Sequence, residues 1–355
     1  MYVTTSNVLT EPLTLMSIGL GLTAAILITI AVLVPPSGIK NSKNIEGRGL
    51  IYYTCALFMW ASMADMSIQT AHFGFFMGLE SNTDYFTNGE PYLMTPIGIS
   101  TQYWNAIVNY VLYLFIIYKI DNNQDPRNFV LYWCGSICTS QFVLMSGILT
   151  GSYSDQLEYA VWMNVTFVVF PVWVLWKYLV KPRTDLPVKI AEKHQSGFLD
   201  LILSVGLIAA SCLAFVRVLG AMGSKFPVMK YYATHYEPHL LDETDFGKTW
   251  ALYSAMYGIP FQLAAVYGLR CPGKEWMLNL SVYYAASMLQ GSFVFTSYSW
   301  YPSSEEQYRI PDESRSTVLC INIALVFLAN LLMFRCLSDP GYFAPKPAVQ
   351  DKKRK

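Results

Sequence analysis

Asp65 is the first residue of the 355-residue chain whose type and setting demand a chemical reason: it is the only Asp, Glu, Lys or Arg in the apolar run Leu50–His72. A carboxylate in hydrocarbon is costly and marks a functional candidate. It can exchange a proton or accept a hydrogen bond from a ligand. Asn105, Gln141 and Asn164 place amides at similar positions in later apolar runs, and Arg217, Ser254, Gln290 and Asn322 repeat the pattern further on. These eight residues are the candidate ligand-binding set. The amides and the serine have a second reading as hydrogen-bonding groups between helices.

The elements that position them follow from composition. Hydrophobic residues make up 54% of the chain and charged residues 14%, with 24 basic and 24 acidic side chains and a mean hydropathy of +0.33. Soluble chains carry about 25% charged residues, and no basic excess points to nucleic acid. A soluble enzyme, a disordered scaffold and a nucleic-acid binder are excluded in favour of an all-α polytopic membrane protein. Runs of about 20 apolar residues cross a bilayer as helices. Nine are expected: Leu13–Val34, Leu50–His72, Ile97–Tyr118, Phe129–Gly151, Tyr159–Val180, Phe198–Gly220, Gly247–Leu269, Trp276–Ser297 and Arg315–Cys336. Alternate connecting segments hold 18 and 6 of the lysines and arginines. Basic loops stay cytosolic, so the N-terminus is expected in the lumen and the C-terminus in the cytosol. No cysteine falls in a lumenal loop, so no structural disulfide is expected.

The chain also repeats itself. Gly89-Glu90-Pro91-Tyr92-Leu93 returns 147 residues later as Tyr236-Glu237-Pro238-His239-Leu240, each copy just before a span. Trp104 and Trp250 follow at similar distances. Four spans separate the copies, so the repeats run parallel rather than inverted. The expected layout is a lumenal N-terminus with a leading helix (1–47), a first four-helix domain (48–183), a cytosolic linker (184–197), a second four-helix domain (198–340) and a basic tail (341–355). Glu90-Pro91 and Glu237-Pro238 read as loop-shaping pairs, because the residue before proline is held extended and its carboxylate can accept a bond from a neighbouring helix N-terminus. His235, Glu237 and His239 could in principle hold a metal, but Glu90 has no histidine beside it. No metal and no cofactor is expected. Counting 1.5 Å per residue sets Asp65 about 10 Å below the lumenal interface, and a polar ring at that depth is expected in each bundle.

The runs Gly89–Leu93, Tyr103-Trp104-Asn105, Arg127–Ser136 and Tyr308–Glu313 resemble the transmembrane 6 superfamily. The resemblance extends over roughly Leu50 to Pro340. It implies two tandem EXPERA domains, four-helix units related to emopamil-binding protein (a sterol isomerase) and the sigma-2 receptor. It also implies an endomembrane protein of lipid handling, with vertebrate relatives linked to triglyceride-rich lipoprotein lipidation and secretion. In the isomerase, carboxylates from the first two helices work with a histidine one turn before the first. Asp65 matches the first carboxylate, Asn105 stands at the second and Ala61 at the histidine; in the second half Arg217 stands at the first acidic position and Ser254 or a neighbour at the second. Isomerisation needs a proton donor and acceptor poised together, and this set is incomplete in both halves.

The leading reading is therefore a non-enzymatic protein that binds a lipid or sterol and regulates lipid metabolism, in export of triglyceride and lipoprotein or in lipid-droplet storage, with no catalytic residue. The alternative is a sterol isomerase-like enzyme using Asp65. A small-solute transporter is the weakest reading, because only Pro171 and Pro260 interrupt inner helices where transporters break theirs. Expected partners are the bilayer, the lipid ligand and lipid-metabolism proteins of the endoplasmic reticulum. Lys352 and Lys353, at the fourth and third positions from the end, resemble a dilysine retrieval signal to that compartment. Their second reading is an ordinary positive-inside tail.

Overall fold

Backbone amides in hydrocarbon must be satisfied within the segment, so apolar runs of this length fold as helices. The computed structural model describes residues 12–34, 48–72, 90–157, 159–183, 186, 197–298, 301 and 304–344. Among them there are helices and turns and no strand. In order they are α1 (Pro12–Leu33), α2 (Leu50–His72), α3 (Pro96–Trp104), α4 (Tyr110–Asp121), α5 (Arg127–Thr150), α6 (Val165–Val180), α7 (Phe198–Ala221), α8 (Pro227–His235), α9 (Phe246–Tyr253), α10 (Ile259–Arg270), α11 (Trp276–Ser297), α12 (Asp312–Ser338) and α13 (Pro340–Phe343). A helix overlies each stretch read as a span. Within the described residues, four helical stretches are individually long and apolar enough to cross a membrane: Pro96–Asp121, Arg127–Thr150, Phe198–Ala221 and Asp312–Ser338. Helix α8 adds an element that no expected span covers. Lys352, Lys353 and all but two residues of the 184–197 linker lie outside the described residues.

The helix ends follow local chemistry. Thr95 caps α3 by accepting from the Gly98 N–H (3.1 Å), with Pro96 in the first turn. Asp125 accepts from the Arg127 N–H at the start of α5 (2.9 Å). Asp200 in α7 accepts from the Gly197 N–H (3.1 Å). Both α3–α4 and α9–α10 are continuous rods interrupted by one wide turn of π type, at Asn105–Asn109 and Ser254–Gly258. Pro260 lacks the N–H that an α-helical bond to residue 256 would need, which loosens the second wide turn; the first has no such proline.

Helices α2 and α4–α6 enclose one apolar core around Phe58, Tyr113, Trp133 and Ile137; α7 and α9–α12 enclose another around Leu207, Trp250, Tyr284 and Phe295. Helix α11 packs extensively against α5 and α12. This central position accounts for its buried Asn279, Ser281, Ser287 and Gln290, which would be unfavourable against lipid. The α5–α11 approach needs a glycine: a Cβ on Gly135 would lie 2.1 Å from the Tyr283 carbonyl oxygen. Two arginines fasten the opposite end of this interface. Arg127 donates to the carbonyls of Lys181 (2.9 Å) and Pro182 (3.0 Å), ending α6. Arg183 reaches across both cores, donating to Asn128 of α5 and to Asn279 of α11 (2.8 Å), while its backbone N–H meets Glu275 (3.0 Å).

Candidate functional site

The chain turns at Glu90-Pro91 and Glu237-Pro238 share one backbone conformation. Glu90 has φ −137° and ψ 66°, Glu237 has φ −133° and ψ 67°, and each precedes a short tight helical turn, Pro91–Met94 or Pro238–Leu241. Each proline fixes the first position of its turn. Neither glutamate caps the turn that follows it. Both carboxylates instead bond to side chains, at least one of them from a distant segment in each case, which differs from the expected bond to a helix N-terminus. Glu90 accepts from the Tyr92 hydroxyl and from Asn164 Nδ2 (2.6 Å). Glu237 forms a paired contact with Arg217 of α7, at 2.8 Å to Nε and 2.5 Å to Nη2. Arg217 Nη2 also donates to Asn322 of α12 (3.2 Å). Of the three asparagines of the candidate set, Asn164 thus meets Glu90 directly, Asn322 reaches Glu237 only through Arg217, and Asn105 meets neither glutamate.

Burial alone would raise the Glu237 carboxyl, but the Arg217 guanidinium overrides it and holds the group below its ordinary range. His239 occupies the place of Tyr92. Its ring is buried against Phe295 and Tyr298, and burial pushes it down to about 4. Asp242 accepts from the Tyr298 hydroxyl, and burial raises its carboxyl. His235 is exposed and bonded to Thr234 (2.7 Å). Among the described residues no cluster of three or more His, Cys, Asp or Glu is spaced for a metal. No disulfide joins any of the seven cysteines, all of which lie among the described residues.

Asp65 lies in a separate network. Trp104 Nε1 donates to Ser136 Oγ (2.7 Å), Ser136 to Asn109 Oδ1 (2.9 Å), Asn109 Nδ2 to Asn105 Oδ1 (3.2 Å), and Asn105 Nδ2 to Asp65 Oδ2 (2.6 Å). An indole N–H only donates, so the direction of this relay is set at its Trp104 end and runs toward the carboxylate. The wide turn Asn105–Asn109 carries both amides. Asn109 and Ser136 were not singled out from sequence; the four-residue spacing of Asn105 and Asn109 was the available signal.

The candidate residues therefore divide rather than forming one ring per bundle. Asp65 joins Asn105, Asn164 joins Glu90, and Arg217 joins Glu237 and Asn322. Gln141 and Gln290 are buried on α5 and α11 with no hydrogen bond to the other six. Ser254 lines a small internal slot with Arg217, Trp250, Tyr253, Tyr257 and Gln262. The slot holds about 20 Å³, room for about one water molecule. Gln262 is anchored to Ser211 (2.7 Å) and Tyr284 (2.7 Å), whereas the buried Tyr257 hydroxyl has no partner among the described residues. A hydroxyl cluster of Thr139, Tyr253, Tyr283 and Ser287 continues from the slot into the α5–α11 interface, with a 2.6 Å bond between Thr139 and Ser287.

The chain is similar in sequence to known proteins over most of its length. The family model "Transmembrane 6 superfamily member 2-like, transmembrane domain" matches residues 2–189. Transmembrane 6 superfamily member 2 of Mus musculus is 30% identical over 317 residues, covering 86% of this chain and 83% of the relative. The Rattus norvegicus protein of that name is 29% identical over 315 residues (86% and 83%), and the Homo sapiens one 28% over 305 (84% and 80%). No solved structure matches. Matched along most of its length to these relatives, the chain belongs to the transmembrane 6 superfamily.

Proposed function

We propose that the protein is a non-enzymatic endomembrane protein that binds a lipid or sterol and regulates neutral-lipid export or storage. It would cross the membrane nine times, with a lumenal N-terminus, a leading helix, two parallel four-helix EXPERA-like repeats and a cytosolic tail carrying Lys352 and Lys353 to the endoplasmic reticulum. The observation that carries the reading is the aromatic-walled slot of the second half, with the unpartnered Tyr257 hydroxyl among its walls. An apolar ligand with one hydroxyl or carbonyl would satisfy that group, at the cost of parting the walls. Ser254 and Arg217 stand at the same slot; Asp65, Asn105, Asn164, Asn322, Gln141 and Gln290 would shape the surrounding bundles.

The polar groups support binding over turnover. Among the described residues the Asp65 carboxylate bonds to the Asn105 amide and has the Glu90 carboxylate as a charged neighbour, and Arg217 is committed to Glu237. Turnover would need a donor and an acceptor poised together, whereas each of these groups is held by a fixed hydrogen bond. The test is mass spectrometry of lipid that co-purifies with the intact protein, compared with Ser254→Phe, which fills the slot. Bound lipid should fall at least fivefold in the variant. Equal lipid in both would sink the reading, and conversion of a Δ8-sterol by the purified protein would replace it with the isomerase reading.

A further inference from the structure

Beyond the slot, a groove of about 420 Å³ opens where α7 ends and α8 begins, lined by Gly220, Gly223, Ser224, Lys225, Lys230 and Thr234 among others. Gly220 lets α8 lie close across α7, because a Cβ there would already touch the Met229 carbonyl oxygen at 3.0 Å. The groove has two ammonium groups and no acidic residue in its lining. Neither lysine forms an ion pair among the described residues. Ser224 Oγ accepts from the Phe226 N–H (3.3 Å), which leaves its hydroxyl proton to donate. Another cavity of similar size, about 410 Å³ between Leu179–Pro182 and Glu275–Leu280, has both Lys181 and Glu275 in its lining and so has no net charge preference.

We propose that the α7–α8 groove binds the phosphate of an anionic glycerophospholipid. The commitment to a lipid over a soluble anion rests on what flanks the groove. It sits at the last turn of a helix apolar enough to cross the membrane, the depth at which headgroup phosphates lie. Beside it Phe226, Val228 and Met222 are 66%, 68% and 56% exposed, an apolar surface suited to acyl chains. Helix α8 thus presents apolar residues and lysine together, the composition of a helix lying in the membrane interface. A choline headgroup would bring its own cation against Lys225 and Lys230, so the site selects anionic lipids.

The test uses the purified full-length protein in detergent, titrated with dioleoyl phosphatidylglycerol or dioleoyl phosphatidylcholine and read by native mass spectrometry. Phosphatidylglycerol should occupy the wild type at least fivefold more than phosphatidylcholine. Lys225→Glu/Lys230→Glu should remove that excess, Lys225→Arg/Lys230→Arg should keep it, and inorganic phosphate in tenfold excess over lipid should not displace it. Thermal melting checks the fold of each variant; if the double reversal does not fold, Lys225→Ala and Lys230→Ala singly should each lower occupancy. Equal occupancy by the two lipids, undiminished phosphatidylglycerol binding in folded lysine variants, or displacement by inorganic phosphate would each overturn the proposal.

Discussion

Replacing Arg217 by Met, or Glu237 by Gln, should destabilise the protein by about 3–5 kcal/mol, because each leaves the other charged or polar partner buried and unmatched. The double replacement should lose less than Arg217→Met alone; denaturant unfolding of the detergent-solubilised variants measures both. His239 adds a pH dependence. Its buried ring holds its proton less tightly than in the unfolded chain, where the ordinary value is 6.5, against about 4 when folded. The unfolded state therefore binds more protons between those values, and stability falls as pH drops from 6.5 toward 4. Thermal melting at pH 7 and pH 5 should show this loss, and His239→Phe should flatten it. Single residues were only partly legible from sequence. Asp65 and Asn105 could be nominated because polar groups in apolar runs are conspicuous. The pairing of Arg217 with Glu237 could not, since it joins a helix to a turn 20 residues away and no periodicity connects them.

Helix packing puts one of its tightest demands on Gly135. Any side chain there meets the backbone of α11, which cannot retreat without separating the cores. Gly135→Leu should cost about 1–3 kcal/mol or more, in line with overpacking elsewhere, and should lower the melting temperature of the whole protein. Helix positions were legible because hydrocarbon permits only continuous apolar runs or closed barrels. The wide turns at Asn105–Asn109 and Ser254–Gly258 were not, because Pro260 marks only the second and ordinary residues fill the first. The near-identical backbone at Glu90 and Glu237 goes with their shared Glu-Pro, but ψ of 66° and 67° falls short of the extended conformation expected before proline.

At the scale of the whole molecule, sidedness is the testable property. A glycosylation acceptor fused to the N-terminus should be modified and one fused to the C-terminus should not; the reverse pattern would invert the proposed topology. Lys352→Ser/Lys353→Ser should shift the protein from endoplasmic reticulum to later compartments, seen by imaging. The proposed sidedness rests on lysine and arginine counts alone, which depend on no tertiary contact.

The reach of Arg183 bears on how the chain is built. Its side chain joins Asn128 to Asn279, and its own amide joins Glu275, while Gly135 lets α5 and α11 mesh above it. Continuity of the polypeptide between residues 184 and 197 is then not what keeps the halves together. Two separately translated pieces, one ending shortly after Arg183 and the other starting near Gly197, should find each other in the bilayer and purify as a stoichiometric pair.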